Sequence, residues 1–99
     1  MNIRINSVRF DADKKLEQFI EKKVNKLEQY SDNIVKAEVY LRLGNSQDPE
    51  NKIVEIRVFV PGNDLFVRKE TKSFEESTDT AVDAMKQQLL KYKEKIRNQ

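Results

Sequence analysis

The chain has no cysteine, no histidine, two glycines, two prolines and no long apolar run. Without cysteine there is no disulfide framework and no thiolate metal site. Without histidine the commonest general base, the commonest metal ligand and any serine–histidine triad are missing. Two glycines leave no glycine-rich loop to cradle a phosphate. No stretch approaches the ~20 apolar residues of a membrane helix. The opening MNIRINSVRF lacks the apolar segment of a signal peptide. A cytoplasmic, non-secreted protein is expected, with no cofactor, no metal and no membrane contact.

What the chain does have is charge. Of its 99 residues, 37% are hydrophobic and 36% charged. That suits one modest core and a single domain over residues 1–99. The formal net charge is only +2, but it is unevenly placed. From Lys86 onward, Lys86, Lys91, Lys93, Lys95 and Arg97 stand against one acid, Glu94, so this end carries +4 and the rest −2.

Hydrophobic period gives the elements. NIRINSV alternates, with Ile3 and Ile5 on one face, and predicts a strand. Asp13 is a candidate N-cap for a helix from Lys14 to Tyr30. Leu16, Phe19, Ile20, Val24, Leu27 and Tyr30 share one face of it, and Phe19 and Leu27 are expected to be buried in one core with Met85 and Leu89. IVKAEVYLRLG alternates again, with Val35, Ala37, Val39, Leu41 and Leu43 inward, and NSQDPEN is a loop. KIVEIRVFV points Val54, Ile56, Val58 and Val60 inward. PGND is a turn in which Gly62 or Asn63 can take positive φ, and LFVRKETK completes a hairpin. SFEE reads as a capping box, with Ser73 at the N-cap and Glu76 three residues on. Phe74, Ala81, Val82, Met85, Leu89, Tyr92 and Ile96 then form one stripe of a long helix. The order is β-α-β-β-β-α. Two amphipathic helices and a four-stranded, mainly antiparallel sheet imply an α+β fold, a two-layer α/β sandwich with both helices on one sheet face.

At about 100° per residue, each charge can be placed around its helix. In the second helix Lys86, Lys93 and Arg97 share one flank of the stripe, and Lys91 and Lys95 the other, with Gln88. In the first helix Lys15, Lys22, Lys23 and Lys26 lie on one flank and Glu17, Glu21 and Glu28 on the other. Such segregation is unusual for a helix that is merely soluble. If two basic flanks meet along the inter-helix groove they form a phosphate-binding strip. The sequence does not say which flanks meet. On the opposite sheet face, Tyr40, Phe59 and Phe66 alternate with Arg42, Arg57 and Arg68. Such a face could stack bases. The glycine–aromatic signature of that mode is absent, so cross-strand packing on a solvated face is the preferred reading. No nucleophile stands beside a base. Asp79 and Asp83, one turn apart, lie where helix-start acids belong electrostatically. No enzyme activity and no small-molecule substrate are expected.

KLEQYSDNI (26–34) and DTAVDAMKQQLLKYKEKI (79–96) resemble the ribosome hibernation-promoting factor family, also known as ribosome-associated inhibitors and sigma-54 modulation proteins. The likeness extends over essentially the whole chain and its element order. It implies a double-stranded-RNA-binding-like fold. It also implies a translation inhibitor that occupies the mRNA–tRNA channel of the small ribosomal subunit and contacts its rRNA. The family's basic helix positions fall at Lys22, Lys23 and Lys26 and at Lys86, Lys91, Lys93 and Lys95; Arg97 extends the set. SFEES departs from the aspartate–methionine–tyrosine stretch of many relatives. With the sequence ending at Gln99, neither the long form's dimerisation domain nor the inhibitor subtype's acidic tail follows. A monomer that does not pair ribosomes by itself is expected. Two other readings remain open: a protein-interaction module that regulates transcription, and a generic double-stranded-RNA binder.

Overall fold

Local period and capping place the elements in the expected order. The computed structural model describes residues 1–97, with the side chain of Arg97 outside the described residues. The elements are β1 (Asn2–Ser7), α1 (Lys14–Asn25) continued by a 3-10 turn (Lys26–Tyr30), β2 (Lys36–Leu43), β3 (Lys52–Val60), β4 (Asn63–Thr71) and α2 (Phe74–Arg97). The sheet order is β1-β2-β3-β4. β1 pairs parallel with β2, which requires a crossover, and α1 supplies it. The other two pairings are antiparallel. Val60 opposite Asn63 leaves Pro61 and Gly62 as a two-residue turn. Gly62 sits at φ 76°, the conformation that a type II turn with a leading proline demands.

Register aligns the apolar faces of all four strands. Ile5 lies opposite Val39, Val39 opposite Ile56, and Ile56 opposite Val67. Ile20, Val24 and Leu27 from the first helical segment and Ala81, Met85 and Leu89 from α2 join these residues in one buried cluster. Both helices therefore lie on the same sheet face, as the two stripes require. The helices begin side by side, with Phe10 stacked on Phe74 at 5.3 Å between ring centroids. The Asp13 carboxylate accepts from the Leu16 N–H at 2.8 Å and starts α1. Ser73 Oγ accepts from the Glu76 N–H at 3.1 Å and starts α2. The expected return bond is replaced: the Ser73 N–H reaches Thr71 Oγ1 at 3.4 Å, so β4 rather than Glu76 completes the cap.

Four local expectations need correction. The first helix does not run as α-helix to Tyr30; the Lys26 N–H donates to the Lys23 carbonyl, and the last turn tightens to 3-10. Val35 and Leu43 follow the inward alternation but are 60% and 51% exposed. Alternation assigns a face, and the cover over that face stops where the helices stop. Phe19 is half-buried against the core rather than inside it. Ile96, though on the stripe of α2, is 44% exposed. A helix of 24 residues is about 36 Å long at ~1.5 Å per residue. Among the described residues its last side-chain bond is from Tyr92 Oη to the Pro61 carbonyl, in the β3–β4 turn, at 3.3 Å. Beyond Tyr92 the helix outruns the strands beneath it, and the molecule is elongated, 47 × 24 × 19 Å.

Two fully buried polar residues, Ser77 and Thr78, sit on the stripe of α2. Thr78 Oγ1 donates to the Phe74 carbonyl at 2.7 Å. Ser77 Oγ donates to the Lys52 carbonyl at 2.6 Å and lies 2.8 Å from Thr71 Oγ1. These bonds tie the start of α2 to β3 and β4, and they make burial of the hydroxyls tolerable.

Candidate nucleic-acid interface

The two helices run in the same sense, and α1 meets α2 across a groove with an offset of about one turn, Lys23 facing Asp79 and Tyr30 facing Lys86. Lys23, Lys26 and Tyr30 from one side and Asp79, Val82, Asp83 and Lys86 from the other line an open cleft of about 410 Å³. The basic flank of α1 is thus the one turned toward α2. The acidic flank looks the other way, and there Glu28 pairs with the amino group of Met1. About two turns farther along α2, Ser31, Asp32 and Asn33 meet Tyr92, Lys93 and Ile96 in a second recess.

Each cleft lysine is held differently. Lys23 Nζ lies 3.2 Å from Asp79 Oδ1 and 5.5 Å from the Phe19 ring centroid. Lys86 Nζ lies 4.9 Å from the centroid of Tyr30, a cation–π contact. Lys26 is exposed and makes no ion pair among the described residues. The cleft is graded along its length. Asp79 and Asp83 sit near the start of α2, whereas Lys86 and then Lys93 follow toward its end. Sequence reasoning assigned Asp79 and Asp83 to the helix dipole and missed their place in the cleft. The signal was available, because Asp79, Asp83 and Lys86 fall on neighbouring rows of one helix flank.

The eight candidate residues do not form one patch. Lys23, Lys26 and Lys86 share the cleft, and Lys93 continues the same side. Lys22 is exposed on the outer surface of α1. Lys91 and Lys95, also exposed, follow the flank of Gln88, whose Nε2 donates to the Phe66 carbonyl at 2.9 Å. That flank overlies β4 and faces away from the cleft. The Arg97 side chain lies outside the described residues.

The opposite sheet face is a cross-strand network. Arg42 Nε bonds Glu55 Oε1 at 2.8 Å, and Arg68 approaches Glu55 at 3.6 Å and Glu70 at 3.9 Å. Arg57 pairs with Asp64 and sits 4.9 Å from the Phe66 ring centroid. Lys36 lies 4.7 Å from Phe59, and Arg42 lies 5.5 Å from Tyr40. These cations are already engaged by carboxylates and rings of their own face, the pattern of mutual cross-strand stabilisation. In the cleft, by contrast, Lys26 and Lys86 make no ion pair among the described residues, although Asp79 and Asp83 share its wall.

The comparisons agree with this architecture. The family model described as sigma 54 modulation protein / S30EA ribosomal protein matches residues 3–97. A ribosome hibernation promotion factor of Bacillus subtilis (strain 168) is 31% identical over 98 residues, covering 97% of this chain and 50% of that protein. The chain therefore spans about half the length of that relative. The N-terminal domain of Thermus thermophilus Protein Y superposes with a TM-score of 0.80 at 27% identity, covering 93% of this chain and 99% of that one. A ribosomal subunit interface protein from Coxiella burnetii superposes with a TM-score of 0.83 at 24% identity, covering 94% and 98%, and supports the fold alone.

Proposed function

This chain belongs to the sigma 54 modulation protein / S30EA ribosomal protein family, and on that premise we propose that it is a ribosome-binding hibernation factor. It acts in the cytoplasm, as a monomer and without catalysis. It occupies the mRNA–tRNA channel of the small ribosomal subunit and lays the inter-helix cleft against rRNA phosphates, so that translation stops.

The observation that carries the reading is that lysines from both helical segments meet across one cleft. Lys23 and Lys26 from one helical segment and Lys86 from the other border the same cleft. Asp79 and Asp83 share the cleft wall, so its lysines outnumber its acids by one; cations held on two rigid elements keep a fixed spacing, and a cleft focuses their field. Phosphates bound there release counterions, which is the main electrostatic gain in such complexes. The family description and the name of the Bacillus subtilis relative point to the ribosome as the source of those phosphates.

Co-sedimentation with purified ribosomal subunits across a salt series tests the reading. The protein is expected to travel with small subunits and to dissociate as salt rises, with log K falling linearly in log[salt]. Binding to a protein partner with little salt response would support an interaction module instead. Equal binding to any A-form duplex would reduce the protein to a generic RNA binder.

A further inference from the structure

Building on the reading of the cleft as a phosphate surface, we infer that Tyr30 is a positioning residue. Its ring holds Lys86 as the cleft's primed phosphate contact, whereas Asp79 withdraws Lys23 from that role. The two lysines are restrained by opposite means. Lys86 Nζ lies 4.9 Å from the Tyr30 centroid, and Lys23 Nζ lies 3.2 Å from Asp79 Oδ1. A free lysine loses rotamer freedom when it settles on a phosphate, and prior restraint lowers that cost. A carboxylate restrains its lysine but cancels the charge and occupies its donors. An aromatic face restrains through its quadrupole and carries no net charge. It leaves the donors on the far side of the ammonium available. Lys86 therefore keeps its full charge in a limited set of orientations, and Lys23 does not.

The backbone supports this placement. In a 3-10 turn, residues three apart lie in line. Leu27 is fully buried, so the turn is anchored at that point, and Tyr30 follows it on the same side. A last turn of ordinary α-helix would rotate Tyr30 by about 60° relative to Leu27. The departure from α geometry at Lys26–Tyr30 thus brings the ring to the cleft wall opposite Lys86.

The test compares Tyr30→Phe, Tyr30→Leu, Lys86→Gln and the Tyr30→Leu/Lys86→Gln double variant for binding to purified small subunits over a salt series. Tyr30→Phe keeps the π-face and is expected to bind as the parent does. Tyr30→Leu should weaken binding about two- to fivefold at every salt concentration, the scale of an exposed cation–π contact, with an unchanged salt slope. Lys86→Gln should flatten the slope by roughly one unit or less, because a phosphate contact is lost. In the Lys86→Gln background, Tyr30→Leu should cost nothing further, although any packing damage is the same there. A penalty of equal size in both backgrounds would show that Tyr30 acts through packing and overturn the inference. So would a Tyr30→Phe variant as impaired as Tyr30→Leu, or a Tyr30→Leu variant without effect where Lys86→Gln has one. If Lys86→Gln itself leaves affinity and slope unchanged, the phosphate reading of the cleft fails, and the positioning role fails with it.

Discussion

Neutralising Lys86 and Lys93 together, as Lys86→Gln/Lys93→Gln, removes two charges from the same side of α2 without entering its core stripe. Lys86 lies half-buried in the cleft and Lys93 is exposed beside Asp32 and Asn33. The buried members of α2, Ala81, Met85 and Leu89, are untouched, so the melting temperature should move little. The binding effect follows from counterion release. Each phosphate contact contributes about 0.7–0.9 units to the slope of log K against log[salt]. Two lost contacts flatten it by roughly 1.4–1.8 units. Between ~50 and ~200 mM salt, the parent should lose about 7- to 12-fold more affinity than the variant. Small-subunit co-sedimentation at several salt concentrations reads both quantities. The matched control is Glu17→Gln/Glu21→Gln, which changes two charges on the far flank of α1, where both side chains are exposed. It should bind as tightly as the parent or slightly more tightly. Parent-like affinity and slope in the Lys86→Gln/Lys93→Gln variant would refute the rRNA-contact assignment and leave the end of α2 a solvated helix.

Four further outcomes follow from particular contacts. Asp79→Asn releases Lys23 from its 3.2 Å ion pair, and it should tighten small-subunit binding and steepen the salt slope; weaker binding would mean that the pair shapes the cleft instead. Leu89→Ala empties a fully buried site and should cost about 2–5 kcal/mol in denaturant unfolding, whereas Ile96→Ala, on the same stripe but exposed, should stay within ~0.5 kcal/mol. Ser77→Ala removes a buried hydroxyl that bonds the Lys52 carbonyl and Thr71 Oγ1, and should cost about 0.5–1.5 kcal/mol by the same assay. Phe66→Ser, on the sheet face away from the helices, should leave ribosome binding intact; a loss of about 1–3 kcal/mol, the scale of base stacking, would move the interface to that face.

Most of the fold is legible from local pattern. The alternation of Ala37 to Leu41 and of Val54 to Val60 identifies strands and their inner faces, because successive side chains must point to opposite sides. The Asp13 and Ser73 caps mark both helix starts, because the first N–H groups of a helix need acceptors. Pro61–Gly62 marks the hairpin for the same local reason. Where local pattern misleads, at Val35, Leu43 and Ile96, it still assigns the right stripe or face. The missing knowledge is how far the opposing layer extends, and no local period contains that.

The candidate site divides along the same line. Segregation of charge is a property of the sequence alone: lysines on one flank of α1, glutamates on the other, bases toward the end of α2. That the lysine flank of α1 turns toward α2, and that Lys86 rather than Lys91 or Lys95 meets it, depends on how two helices settle over one sheet. Tertiary packing alone made those choices. Phe10 stacked on Phe74 sets where the helices begin, and the buried Leu27 and Met85 fix how each is rotated. The tyrosine under Lys86 and the aspartate on Lys23 are consequences of that placement. A helix's own period ranks its residues around one axis, and only a second axis lying against it determines which of them become neighbours.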